Sequence, residues 1–354
     1  MNAADGVASP VDAGVKPRRG LQVGISIGWS PREKLSSLVS LVASAEAAGI
    51  AACWVIDSQL AMKDAYVALA VLANETTHLQ LGTGVTNLLT RHETVVANSF
   101  ASLASIAPGR MLLGVGAGDS AAFPLGFTPT PVRALETGVE RVRALLAGHE
   151  VEGPVAPMRL SHRTESLPVY VAASQPRMLR MAGRCADGVI IMGPADPQMV
   201  AVQMAHIDEG ALEAGRDPRE IFRDLWVTMA VGDGLDAAKA IKSWASAQAR
   251  WLTRWKALPS SLERYRAEMT LAADTYDFGQ HLAVSADHAS EISDEFALTL
   301  GVAGTVAECR QRLSDLASQG ANRISVSLLS GGRRERLESL IEVFGGIDGM
   351  ETSK

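Results

Sequence analysis

The chain has 354 residues, room for two average domains or one large α/β barrel, and is 47% hydrophobic and 20% charged. That balance suits a globular protein able to bury a cofactor pocket without disulfide or metal staples. A formal net charge of −6 argues against a nucleic-acid partner, and no apolar run approaches membrane-spanning length. Cys53, Cys185 and Cys309 stand far apart with no CxxC pair, so reduced, buried thiols in a soluble cytoplasmic protein are expected.

Residues 1–20 have no apolar core of a signal peptide and read as a disordered leader. LQVGISI (21–27) is the first predicted strand. Ser30-Pro31-Arg32-Glu33 reads as a capping box, Leu35, Leu38, Val42 and Ala45 follow at helical spacing, and Gly49 ends that helix. ACWVID (52–57) is a second strand, with Asp64 capping the helix that runs to Ala73. The rhythm repeats: strands at 79–85, 110–117, 167–173 and 187–192 precede helices near 93–106, 130–147, 176–185 and 197–214. FRDLWVTMAV (222–231) is a seventh strand and NRISVSLL (322–329) an eighth. Leu337, Leu340, Ile341 and Phe344 then form a one-faced closing helix. Eight strand–helix units predict a (β/α)8 barrel, a single domain over 21–345 with a tail at 346–354.

The seventh unit is irregular. An insertion over 233–304 carries a predicted helix (236–256), Trp244, Trp251, Trp255, His281 and His288, and otherwise reads as polar and irregular. It ends at Gly304-Thr305-Val306-Ala307-Glu308, a second capping box. A long insertion after a barrel strand is expected to serve as a lid or substrate loop. The tryptophans are read as packing for the insertion helix and the two histidines as loop residues.

Barrel enzymes work at the C-terminal ends of their strands. None of the seven lysines (16, 34, 63, 239, 242, 256, 354) falls there, which disfavours a Schiff base. There is no HxH or HExxH, so no metal site is expected. Gly82, Gly84, Gly114, Gly116 and Gly118 strip side chains from the mouths of strands three and four. Either they leave room for a flat ring or they relieve crowding in a tapering barrel. GVGAG is not GxGxxG, which excludes a dinucleotide fingerprint. After strand five, free N–H groups at a helix start, the Ser174 hydroxyl and Arg177 would make a phosphate seat; the alternative is ordinary N-capping by Ser174.

GTGVTNLLTRHE (82–93), SFASLASIAPGRMLLGVGAGD (99–119), PVYVAASQPRMLRMAGRCADGVI (168–190) and GTVAECRQRLSDLASQGANRISV (304–326) closely resemble the bacterial luciferase-like superfamily. The resemblance is nearest to its methylenetetrahydromethanopterin-reductase-like branch and runs from about 21 to 345. It implies a barrel holding reduced FMN, or the 8-hydroxy-5-deazaflavin coenzyme F-420, at the C-terminal mouth. It also implies a non-proline cis peptide at Gly84–Val85 in a bulge backing the ring. Together with the glycine and helix-start readings, this makes Gly84, Val85, Thr86, Gly116, Ala173, Ser174, Gln175 and Arg177 the candidate cofactor residues. His92, Asp57 and Asn87 are the catalytic candidates, with Arg91 a possible anion holder or ion-pair partner. Two positions depart from the pattern, Glu93 for the usual proline and Asp57-Ser58 for the usual Asp-His. The resemblance implies two chemistries. The expectation is a monooxygenase that takes FMNH2 from a separate NAD(P)H:flavin reductase and uses dioxygen on a small organic substrate; the alternatives are F-420-dependent hydride transfer and flavin binding without turnover. A homo-oligomer, such as a dimer, is expected.

Overall fold

The alternation of short apolar runs and one-faced helices folds as the pattern predicts. The computed structural model describes residues 20–162, 164, 167–275, 291–328, 332–345 and 347. The leader, His281, His288, Leu329 and most of the tail therefore lie outside the described residues. In chain order the strands are β1 (Gln22–Ile27), β2 (Ala52–Val55), β3 (Gln80–Thr83), β4 (Thr86–Asn87), β5 (Met111–Gly116), β6 (Val169–Ala173), β7 (Gly188–Met192), β8 (Phe222–Val227), β9 (Met229–Val231), β10 (Val302–Gly304) and β11 (Arg323–Ser327). The main sheet runs β3-β2-β1-β11-β8-β7-β6-β5, and β3 pairs back onto β5. The pairings are parallel, so the sheet closes as a (β/α)8 barrel. β3 and β4 both pair with β5; they are one stave broken by a bulge.

Alternation along each stave separates two cores. Val23, Ile25 and Ile27 point outward into the layer beneath the helices. Trp54, Leu112, Tyr170, Ile190 and Trp226 point inward and fill the barrel. At its floor Asp224 Oδ2 accepts from Trp54 Nε1 at 2.8 Å and from Arg323 Nε at 2.7 Å. Arg323 and Asp224 are fully buried, and the guanidinium lies against the Phe222, Trp54 and Tyr170 rings. A charge this deep persists only because it is paired and faced by aromatic π-clouds.

Local signals largely hold. Asp64 accepts from the Tyr66 and Val67 N–H groups, and Thr305 and Glu308 form their reciprocal capping box. The first capping box does not form. The helix starts at Leu35 with Lys34 as its uncapped N-cap, because the Glu33 carboxylate is drawn to Arg333 at 2.7 Å. The seventh strand breaks at Thr228, and its second half pairs with β10 as a separate two-stranded sheet. The insertion is more helical than its polarity suggests: Gly234–Leu252, Ser260–Glu263, Arg266–Asp274 and Asp294–Leu300 are helices. Leu262, Met269, Phe296 and Leu300 are buried, and the Tyr265 ring stacks on Phe296 at 4.5 Å. Among the described residues no helix is long and apolar enough to cross a membrane. The three cysteines are free; burial pushes the Cys53 and Cys185 thiols up to about 12 and Cys309 up to about 11, which leaves them inert.

Candidate active site at the barrel mouth

The polar cluster TNLLTRH folds into a network that locks the bulge to the end of β2. The Gly84–Val85 peptide is cis. Just after it, Thr86 is fully buried. Tyr66 donates its hydroxyl proton to Thr86 Oγ1 at 3.0 Å, and Thr86 donates onward to Asp57 Oδ2 at 2.7 Å. Arg91 grips Asp57 with Nε and Nη2, reaches Asp64 Oδ2 at 2.8 Å, and lies 4.2 Å over the Tyr66 ring. Burial opposes the Arg91 charge, but the bonds to Asp57 and Asp64 outweigh it and raise its pKa; burial raises the Tyr66 phenol likewise. Asp57 is therefore a carboxylate held by three donors, an anchor for the bulge.

The glycines of strands three and four do not leave a hollow. A Cβ at Gly84 would sit 2.7 Å from Trp226 and 2.8 Å from Trp54 Cβ, one at Gly82 2.6 Å from the Trp54 ring, and one at Gly114 2.1 Å from the Thr83 carbonyl. At Gly116 it would meet Val85 at 2.7 Å. Crowding relief is thus their role: the space belongs to the protein's own Trp54, Trp226 and Val85. What reaches the mouth is a platform, with Val85, Ala172 and Met192 partly exposed on top of the buried tryptophans. Ala172, not Ala173, faces inward; Ala173 packs into the outer core.

Beside the platform is the start of the helix Pro176–Cys185. Its N-cap is Gln175 and no side chain caps it, so Ser174 is not a cap. Proline at the first position removes one donor, while the following N–H groups point out of the helix start. The Ser174 hydroxyl and the exposed Arg177 have no partner among the described residues. This corner is tied to the insertion: Trp255 Nε1 donates to the Ser174 carbonyl at 3.1 Å, and Gln175 Nε2 to the Trp251 carbonyl at 2.9 Å. The same insertion helix sends Gln248 to the Gly193 carbonyl at 2.9 Å and Arg250 to Asp119 at 3.1 Å. It therefore walls the mouth across the ends of β5, β6 and β7.

The remaining candidates serve local structure. Asn87 Oδ1 accepts from Leu89 N, Thr90 N and Thr90 Oγ1, which folds the turn after β4. His92 is exposed and caps the helix Glu93–Ile106 through Nδ1, while Glu93 pairs with Arg141. Among the described residues no group of three or more His, Cys, Asp or Glu is placed to hold a metal. Sequence reading missed Tyr66 and Trp226. Trp226 carried a signal: Phe222, Asp224 and Trp226 alternate along β8, and an aspartate inside a buried strand announces an inward partner.

The barrel with a bulged third strand, an apolar platform and an open helix start matches a known group of proteins. The family model for luciferase-like monooxygenases matches residues 14–323. The chain belongs to this family. Within it, the chain is similar to 5,10-methylenetetrahydromethanopterin reductase of Methanolobus tindarius, 29% identical over 90% of this chain and 99% of that one. It is also similar to an F-420-dependent hydroxymycolic acid dehydrogenase of Mycobacterium tuberculosis, 31% identical over 58% of this chain and 62% of the relative. The luciferase-like fold is matched by the solved coenzyme F-420-dependent tetrahydromethanopterin reductase of Methanopyrus kandleri, with TM-score 0.74, 24% identity and coverage of 92% and 98%.

Proposed function

We propose that this chain is a coenzyme F-420-dependent oxidoreductase that moves hydride between the deazaflavin and a small organic substrate. The observation that carries this reading is the end-to-end likeness to a methylenetetrahydromethanopterin reductase, covering 99% of that relative, joined by a relative whose name states F-420 dependence. This reading is preferred to the FMN monooxygenase expectation, with its dioxygen and separate reductase, which draws on the family description and on solved monooxygenases that share the fold at under 20% identity.

The residues present fit the coenzyme. The uncapped helix start, the Ser174 hydroxyl and Arg177 would hold a phosphate. Arg254 and Lys256 are exposed on either side of Trp255, which is anchored to Ser174; with Arg177 they suit the acidic tail that F-420 has and FMN lacks. Val85, Ala172 and Met192 offer an apolar bed for a flat ring. Bound there, the coenzyme would supply a hydride donor or acceptor. The chain's part is to orient the ring on a bulge fixed by Thr86, Asp57 and Arg91, and to keep water from it with the insertion wall.

The test is a fluorescence titration of the purified chain with F-420 and FMN, each oxidised and reduced. F-420 is expected to bind at least tenfold more tightly than FMN. Binding of FMN alone, with substrate oxygenation on mixing FMNH2 and air, would return the monooxygenase reading.

A further inference from the structure

The helix Leu35–Ala47, whose capping box does not form, starts beside the helix Arg333–Phe344. Neither start is capped by a side chain, the N-caps being Lys34 and Gly332. The first helix has no acidic residue in its first turn. Glu335, in the first turn of the second, lines a different crevice with Met229 and Val326. Between the two starts lies a groove of about 410 Å3 lined by Glu33, Ser36, Ser37, Ser40, Arg333 and Arg334. The Ser36 and Ser37 hydroxyls have no partner among the described residues. Arg334 reaches Ser40 Oγ at 3.2 Å and no carboxylate among the described residues. The Arg333 side chain is nine-tenths buried. Its Nη1 holds Glu33 at 2.7 Å and its Nη2 the Gly28 carbonyl at 2.7 Å, while Nε has no partner.

A helix start carries about half a positive charge. Two starts and two guanidiniums, set against the single Glu33 carboxylate, leave the groove about two charges positive, in a chain whose net charge is −6. Like charges gathered this closely repel unless an anion joins them. The donors also describe the anion. Hydroxyls, a guanidinium and helix N–H groups approach from two helices, which suits a tetrahedral oxyanion with several acceptor oxygens better than a flat carboxylate. The groove is far larger than one phosphate group and falls in the range of small-molecule sites. Leu41 adds an apolar wall for the remainder of such a molecule.

We propose that this groove binds the phosphate monoester group of a small organic molecule, at a second site outside the barrel. It is separate from the Ser174 corner. β1 and β6 stand on opposite sides of the barrel, with β11, β8 and β7 between them one way and β2, β3 and β5 the other. The groove reaches the mouth through Arg333, whose bond to the Gly28 carbonyl holds the end of β1. The inference does not depend on which coenzyme the mouth takes.

The experiment is calorimetric titration of the full-length Ser174→Asp chain, in which the coenzyme's own seat repels anions. The probes are phenyl phosphate, inorganic phosphate and benzoate at low ionic strength, and Arg334→Met and Ser37→Asp are then added singly. Arg334 and Ser37 are exposed, and an acid in the first turn of a helix stabilises it, so a lost affinity is not a lost fold. Phenyl phosphate is expected to bind at least tenfold more tightly than benzoate, and more tightly than inorganic phosphate. Arg334→Met should weaken it about tenfold and Ser37→Asp by more. Phenyl phosphate should also raise the unfolding midpoint of the Ser174→Asp chain and not that of the chain with Ser37→Asp added. No binding of phenyl phosphate, equal affinity for benzoate or inorganic phosphate, or an affinity unchanged in either variant would overturn the proposal.

Discussion

Asp57 and Arg91 lie side-on at the barrel mouth, Nε to Oδ2 at 3.2 Å and Nη2 to Oδ1 at 3.3 Å. The Asp57 side chain is 3% exposed and that of Arg91 24%, so the carboxylate depends on the arginine more than the reverse. Arg91→Met should cost about 2–3 kcal/mol, below the ~3–5 kcal/mol of a fully buried broken pair because the arginine is partly solvated. Adding Asp57→Asn should restore part of that loss. Urea unfolding of the two single variants and the double variant measures the coupling, and additive losses would mean that the pair is idle.

Gly114 has no room for a methyl group, since the Thr83 carbonyl lies 2.1 Å from the place of its Cβ. The obstacle is backbone of the neighbouring stave, from which the Thr83 hydroxyl also donates to the Gly114 carbonyl at 2.8 Å. Gly114→Ala should destabilise the barrel by about 2–3 kcal/mol. Gly215→Ala, at a site with open space but φ +68, should cost only about 1 kcal/mol. Thermal unfolding of both variants would reveal whether the glycines serve packing.

Glu46 Oε1 accepts from the N–H groups of Thr77, His78 and Leu79 at 2.8–2.9 Å. Burial opposes the charge, but those donors outweigh it and hold the carboxyl below its ordinary value. A carboxyl with a folded pKa below its unfolded one stabilises the fold above the unfolded value. That contribution fades as pH falls through the folded value. Glu46→Gln should therefore cost about 1–2 kcal/mol at neutral pH, with the gap to wild type closing in acid. Unfolding midpoints measured from neutral pH into the acid range test this; a gap that widens in acid would contradict it.

Ser174 directly precedes the N-cap of an uncapped helix. Ser174→Asp places a negative charge where an anion is to sit and should weaken F-420 binding more than tenfold, whereas Ser174→Ala should weaken it only a few-fold. Equal affinity of wild type and Ser174→Asp would move the seat elsewhere.

What the sequence determined by itself is what acts within a few residues. The βα rhythm, the Asp64 cap, the Thr305–Glu308 box and the helices Glu93–Ile106 and Pro176–Cys185 all follow from periodicity and from side chains reaching at most three or four positions along the chain. The glycines and the TRH segment were visible, but their partners were not. Closure of the barrel brings Trp54 and Trp226 into the space the glycines leave, turns Arg91 onto Asp57 and Asp64, and lets Trp255 fasten the insertion to Ser174. The same closure leaves His92 outside as a cap and takes Glu33 from its own helix to Arg333. A buried polar or aromatic side chain takes its place from whichever strand comes to lie opposite, and that neighbour is set by barrel topology across long stretches of chain, beyond the reach of any local pattern.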